Sequence, residues 1–183
     1  VLIEIFRFSY SIGTVYRASA NYMEARKWQE KSLPIAQSLK DTLRMSNAIR
    51  ELAWIDYGES NLDQAEQRFR QVLELREIIY GQDHKLLADC YGDIGAVLNE
   101  KNQFGEALPF HEKAIQLGEK NYQPNHPRLA ILYGNYSICL GKNGEFENAL
   151  LYAEKQLSIY RKNGKNSKEI ADGCTFTVEI LAN

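Results

Sequence analysis

The stretches SANYMEAR, ESNLDQAE, KNQFGEAL and NGEFENAL each place an apolar residue three positions ahead of an alanine. Tyr22 precedes Ala25, Leu62 precedes Ala65, Phe104 precedes Ala107, and Phe146 precedes Ala149. The four alanines lie 40, 42 and 42 residues apart. Self-similarity at such a period marks a chain built from stacked copies of one supersecondary unit. The match is dispersed rather than local. Shifted by 42 residues, His84 meets His126, Tyr91 meets Tyr133, Gly92 meets Gly134, Leu98 meets Leu140, Glu112 meets Glu154 and Lys113 meets Lys155.

Each unit reads as two helices. In LADCYGDIGAVLNE the apolar residues Leu87, Tyr91, Ile94, Val97 and Leu98 recur at steps of three and four, which is helix periodicity. A polar turn follows, then FGEALPFHEKAIQLGEKNY with Phe104, Ala107, Leu108, Ala114, Ile115 and Leu117. Strand-type alternation is confined to the closing CTFTVEI. The pattern predicts helices over about 2–18, 22–39, 43–58, 62–80, 86–101, 104–121, 127–142 and 146–162, with a last one over 168–182. Asp41, Asp83 and Asn125 lie near helix starts, where a short acceptor caps free N–H groups. Pro34 is deep enough in its helix to predict a kink.

Twelve residues before each repeated alanine stands another small residue: Gly13, Ala53, Gly95 and Ser137. Small side chains let antiparallel helices approach, so each pair, such as Gly95 with Ala107, is expected to meet at a helix crossing. One such pair cannot bury both its faces, and the pairs must stack. The expected architecture is therefore all-α: four helix pairs with one unpaired helix.

These residues resemble the tetratricopeptide repeat. Ile12, Gly13, Tyr16 and Ala25 fit its pattern, as do Ile49, Leu52, Ala53, Ala65 and Phe69. Tyr91, Ile94, Gly95, Leu98, Ala107 and Ala114 fit, and so do Tyr133, Tyr136, Leu140 and Ala149. Asp56 falls where an aromatic belongs, with Trp54 and Tyr57 close by, which leaves the register of that helix open by one residue. The period of about 42, GQDHKLLADCYGDIGAVL and GEALPFHEKAIQL resemble the kinesin-light-chain type of repeat. The resemblance implies a right-handed superhelical solenoid of antiparallel pairs. It is expected as one domain over 1–183, with repeats at about 1–40, 41–82, 83–124 and 125–166 and a partial repeat at 167–183. The chain opens with VLIEIFRF already under way and ends on an unpaired helix, so it reads as part of a longer protein.

Composition excludes several classes of function. A net charge of −2 carries no basic excess for nucleic acid. No apolar run approaches the roughly 18 residues of a membrane span. Three cysteines without CxxC spacing give neither a disulfide framework nor a zinc site, and point to a reducing, cytoplasmic setting. HEKAI at His111 lacks the second histidine of a zinc-protease helix, since Ile115 stands there. His84 and His126 read as parts of a helix-entry turn. GDIGA at Gly92 follows no strand and reads as helix packing rather than a phosphate cradle. The chain is thus expected to be no enzyme, without metal or cofactor.

What remains is binding. The resemblance implies a concave groove lined by the first helix of each pair. Matching positions include Arg7, Tyr10, Thr14, Arg17, Asn47, Arg50, Glu51, Trp54, Tyr57, Asp89, Asp93, Asn99, Glu100, Asn135 and Lys142. The strongest candidates are Arg50, Trp54, Tyr57, Asp93, Asn99, Asn135 and Lys142, and Trp54 is either an anchor for a ligand or a filler between helices. The basic clamp with which some of these repeats hold a terminal carboxylate is absent, as Glu51, Asp89 and Asp93 occupy its window. The expected partner is a protein or peptide, with self-association through the open terminal helix as a further route. The alternatives are a regulatory or sensor segment of a larger enzyme or NTPase, and a self-assembly module.

Overall fold

The computed structural model describes residues 1–164. Among them are eight α-helices: α1 (Leu2–Ala18), α2 (Tyr22–Ser38), α3 (Thr42–Gly58), α4 (Leu62–Tyr80), α5 (Lys85–Glu100), α6 (Phe104–Asn121), α7 (Pro127–Lys142) and α8 (Phe146–Lys162). Each bound falls within about one residue of the position that periodicity predicts. The expected helix at 168–182 and Cys174 lie outside the described residues. The helices form two compact units, the first spanning Val1–Gln82 and the second beginning at Asp83. In the first, α1 packs on α2, α2 on α3 and α3 on α4. In the second the same order holds for α5 to α8.

The repeated phrase is a helix stop followed by a helix start. Ala20, Ser60, Asn102 and Gly144 all adopt positive φ, at 55°, 62°, 58° and 89°. Beside each, a backbone N–H reaches back across the finished helix. Asn21 donates to the Tyr16 carbonyl, Asn61 to Asp56, Gln103 to Leu98 and Glu145 to Leu140, at 2.8–2.9 Å. These are the long bonds of a left-handed helix cap, which satisfy carbonyls that the helix end leaves open. Four residues later the alanine N–H closes the first turn of the next helix, as in Ala107 to the Gln103 carbonyl at 3.0 Å. The alanines Ala25, Ala65, Ala107 and Ala149 are fully buried.

Asp41 caps α3, its carboxylate accepting from the Arg44 N–H at 2.9 Å. The other two caps differ from expectation. Nδ1 of His84 accepts from the Leu86 N–H at 3.3 Å, and Nδ1 of His126 accepts from Arg128 at 3.1 Å. Asp83 and Asn125 stand one residue too early for the role. Asp83 instead pairs with Lys120 at 2.9 Å. Helix α2 runs on for four residues beyond Pro34.

At two of the small-residue crossings a larger side chain enters as well. A Cβ on Gly95 would meet the imidazole of His111 at 2.6 Å, and one on Gly13 would meet the Gln29 amide at 2.7 Å. Beside Gly95 and Gly13 the nearest side chain is thus that of the residue one turn past the repeated alanine. In the fourth pair Ser137 does reach Ala149, donating its hydroxyl to the alanine carbonyl at 2.8 Å.

Candidate functional site: the faces of the first helices

On the first unit, α1 and α3 carry Tyr10, Thr14, Arg17, Asn47, Arg50, Glu51, Trp54 and Tyr57. Arg17 donates from Nε to a Glu51 carboxylate oxygen at 2.6 Å. Glu51 is buried and Arg17 half-buried. Arg76, a buried residue of α4, reaches across to donate to Oδ1 of Asn47 at 3.0 Å. Arg50, Arg76 and Arg17 all act on the Tyr10 hydroxyl, against the single carboxylate of Glu51. Burial first, and Glu51 second, hold that hydroxyl above its ordinary pKa. Tyr10 is therefore a neutral phenol in a patch where guanidinium groups outnumber carboxylates. The Thr14 hydroxyl is turned back onto its own helix, bonded to the Tyr10 carbonyl at 2.9 Å.

The Arg50 guanidinium lies over the Trp54 ring, 6.0 Å from its centroid. Trp54 is half-buried, with its indole edge-on to Tyr57 at 5.3 Å and to Phe69 at 5.1 Å. The contact with Phe69 joins α3 to α4, so part of the indole serves packing. The remainder, with Arg50 and Tyr57, stands at the surface.

On the second unit the candidate residues separate. Asp93 is buried in α5. Asn99 uses both amide hydrogens internally, one toward Nε2 of His111 at 3.1 Å and one toward the Asn135 carbonyl at 3.3 Å. It ties α5 to both α6 and α7. Asn135 is half-buried and Lys142 is exposed. Asp89, nearly buried, lies 3.9 Å from Arg128.

Several polar groups of these helices left no sequence signal. Asp56 is buried and clamped by Arg26 at 2.7 Å and by Arg68, while Arg26 also holds Glu59 at 2.6 Å. This settles the register question, since Asp56 occupies the aromatic position itself and arginines from α2 and α4 close around it. In the second unit Tyr133 donates to Glu119 at 2.8 Å, and Lys155 lies over the rings of Tyr133 and Tyr152.

His111, expected to be structural, is buried in α6 with its pKa lowered to about 4 by loss of solvent. Because the Asn99 amide donates to Nε2, the neutral ring carries its proton on Nδ1. The Cys139 thiol donates to the Phe104 carbonyl at 3.4 Å, and burial pushes its pKa up to about 12. Such a thiol has no thiolate to react at neutral pH. Among the described residues no group of His, Cys, Asp and Glu gathers to hold a metal. None of the described helices is long and apolar enough to cross a membrane.

Antiparallel helix pairs of one repeated design, stacked through their second helices, define a helical-repeat protein. The tetratricopeptide repeat profile matches residues 4–78, 57–120 and 86–162, and the chain belongs to that family. Its fold class is all-α, a tetratricopeptide-like solenoid, a fold that generally serves as a scaffold for protein interaction. No curated protein sequence matches it. Several solved structures share the fold at low identity. The putative kinesin light chain repeats of P. anserina are 16% identical, with a TM-score of 0.73 over 96% of this chain and 91% of that one. The apo form of RapI is 16% identical, with a TM-score of 0.79 over 97% and 70%. Aspartyl phosphate phosphatase F from Bacillus subtilis is 16% identical, with a TM-score of 0.82 over 100% of this chain and 49% of that one. The chain thus spans about half the length of the phosphatase.

Proposed function

We propose that this chain is a non-catalytic scaffold that binds a protein or peptide segment on the first-helix face of its first unit. The observation that supports this most is the Arg50 guanidinium over a half-exposed Trp54, beside Tyr57. Aromatic and arginine side chains that lose water together supply most of the binding energy in such interfaces. Trp54 serves as the apolar anchor and Arg50 takes an acidic side chain of the ligand. The patch of Arg17, Arg50 and Arg76 around Tyr10 favours negative charge, while Glu51 tempers it, so a segment of mixed charge fits best. On the second unit Asn135 and Lys142 are the residues placed to bond a peptide backbone and an acidic group. A cytoplasmic setting goes with this reading, on the strength of the cysteine pattern alone.

The test is to capture a partner with the full chain and titrate it against Trp54→Ala and Arg50→Ala. Each substitution is expected to cost about 2 kcal/mol or more of binding, roughly thirtyfold in affinity, with the helical spectrum unchanged. Wild-type affinity in both variants would place binding on another face.

A further inference from the structure

Every histidine of the chain lies in the second unit. These are His84, His111 and His126, and Val1–Gln82 holds none. Each ring accepts a hydrogen bond. Nδ1 of His84 accepts from the Leu86 N–H at 3.3 Å at the start of α5, and Nδ1 of His126 accepts from the Arg128 N–H at 3.1 Å at the start of α7. Nε2 of His111 accepts from the Asn99 amide at 3.1 Å, between α5 and α6. A neutral imidazole has one acceptor nitrogen, and an imidazolium has none. Protonation therefore removes all three bonds. At the two caps it also sets a positive charge on a helix N-terminus, the end that favours negative charge.

The side-chain caps of the first unit keep their acceptors in mild acid. At the start of α2, Oδ1 of Asn21 accepts from the Glu24 N–H at 3.3 Å, and an amide does not titrate. At the start of α3, the Asp41 carboxylate accepts from the Arg44 N–H at 2.9 Å. That bond, with the Arg44 guanidinium, holds the Asp41 carboxyl below its ordinary range, so it stays ionised where histidine takes up a proton. The same structural task is thus given to titrating rings in one unit and to lasting acceptors in the other.

The groups around the three rings leave this difference in place. Asp83 precedes His84 but is engaged by Lys120 of α6 at 2.9 Å, with Lys113 acting on it too, and Lys85 follows. The Tyr122 ring, stacked on His126 at 4.5 Å, partly compensates an imidazolium, yet leaves the Arg128 N–H facing a second donor. The Arg128 guanidinium itself lies 3.9 Å from Asp89. His111 faces Gly95 and Asn99 on α5 and the Tyr136 ring on α7 at 6.2 Å. The adjacent Glu112 carboxylate accepts from the Tyr136 hydroxyl at 3.2 Å, and burial opposes a charge on the imidazole. The folded unit needs the neutral ring at each place, so the contribution is complete above the histidine range and declines as the pH falls through it. Stacked repeats open in parts, because their stability is a sum of local units. We propose that the second unit is an acid-sensitive element: as the pH falls from about 7 to 5, its histidine bonds open and α5 and α7 loosen while the first unit keeps its structure. Asn135 and Lys142 stand on α7, so whatever this face holds is released over the same range.

The chain carries its own reporter. Both tryptophans, Trp28 and Trp54, belong to the first unit, so their fluorescence follows that unit, whereas far-ultraviolet circular dichroism follows every helix. Urea unfolding of the full chain is recorded by both signals at about pH 7.5 and about pH 5, on either side of the ordinary histidine pKa. In acid the dichroism transition is expected to begin at lower urea, with the fluorescence midpoint nearly unchanged. The triple variant His84→Asn, His111→Gln and His126→Asn keeps a non-titrating acceptor at each place and is expected to lose that shift. A second readout is independent of whether the triple variant folds well: in the wild type, the amide NMR signals of Leu86 and Arg128 should titrate through the histidine range while that of Arg44 stays still. Dichroism and fluorescence transitions that fall together would overturn the proposal, and so would an unshifted wild type. A triple variant with the wild-type shift, or Leu86 and Arg128 signals that do not titrate, would overturn it as well. Arg50 and Trp54 are untouched in every variant, so the outcome is separable from that of the ligand titration.

Discussion

The imidazole of His111 occupies the space that Gly95 leaves by having no side chain: a Cβ there would lie 2.6 Å from the ring. The ring is wedged between α5 and α6 and anchored by Asn99 at 3.1 Å, so it cannot swing aside like the end of a long chain. Gly95→Ala should therefore cost stability although alanine is the better helix former, by about 1–3 kcal/mol for overpacking. Gly105 is the control. A Cβ at that position meets nothing within 4 Å, and Gly105→Ala should gain up to about 1 kcal/mol. Thermal unfolding of the two variants should shift in opposite directions.

The same histidine makes stability depend on pH. Its folded pKa is lowered to about 4 from an ordinary 6.5, chiefly by burial, with the Gly95 carbonyl opposing weakly. Between those two values the unfolded chain takes up a proton that the folded chain refuses. Stability is therefore full above pH 6.5 and falls as the pH drops toward 4, by roughly 3 kcal/mol in total. Gln29 fills the equivalent place beside Gly13, so His111→Gln is a substitution the fold already uses. Urea unfolding of that variant should show a much flatter profile between pH 6.5 and 4.

The contrast between Gly95 and Ala107 shows what the sequence carries and what it conceals. Helix bounds inside each pair are legible because those four turns repeat one local solution, a left-handed residue and a reach-back bond at Ala20, Ser60, Asn102 and Gly144. Local chemistry decides such a turn, and local chemistry is written in consecutive residues. Contacts between helices depend on rotation and side-chain reach. The space left by Gly95 admits the imidazole of His111, a side chain that the small-residue spacing does not announce. Arg17 with Glu51, Arg26 with Asp56 and Asn99 with the Asn135 carbonyl lie 34, 30 and 36 residues apart, and no spacing rule links them. Of the candidate site, Trp54 and Arg50 were legible by position on the first helix. That Asn99 spends its amide hydrogens inside the protein was not.

The turns themselves hold recoverable stability. Ala20 and Ser60 take a left-handed conformation that disfavours a Cβ, whereas Gly144 fills the equivalent place at no such cost. Ala20→Gly and Ser60→Gly should each raise the unfolding free energy by about 0.5–1 kcal/mol, less the entropy that glycine adds to the unfolded chain. The same change at Gln103, one residue past the left-handed Asn102, should give no gain. Denaturant midpoints of the three variants provide the comparison.

Asp56 is a core position of α3 held by charge on two sides. Its equivalents Leu98 and Leu140 are buried apolar residues, while Asp56 meets Arg26 at 2.7 Å and Arg68 beside it. Taking one member from a buried ion cluster strands the others. Asp56→Ala leaves two guanidinium groups facing each other across a cavity, although each keeps about a quarter of its side chain in water. The expected loss is about 2–3 kcal/mol, below the 3–5 kcal/mol of a fully enclosed pair. The second unit supplies the apolar alternative: in the places of Arg26, Asp56 and Arg68 it carries Leu108, Leu140 and Tyr152. A triple variant, Arg26→Leu, Asp56→Leu and Arg68→Tyr, should therefore fold with stability within about 1 kcal/mol of the wild type or above it, since well-packed apolar residues replace a desolvated cluster without penalty. Added salt should lower the wild-type urea midpoint and leave that of the triple variant nearly unchanged. If the single and triple variants lose stability alike, the cluster contributes more than its apolar counterpart, and the charge at Asp56 is a net stabiliser of the fold.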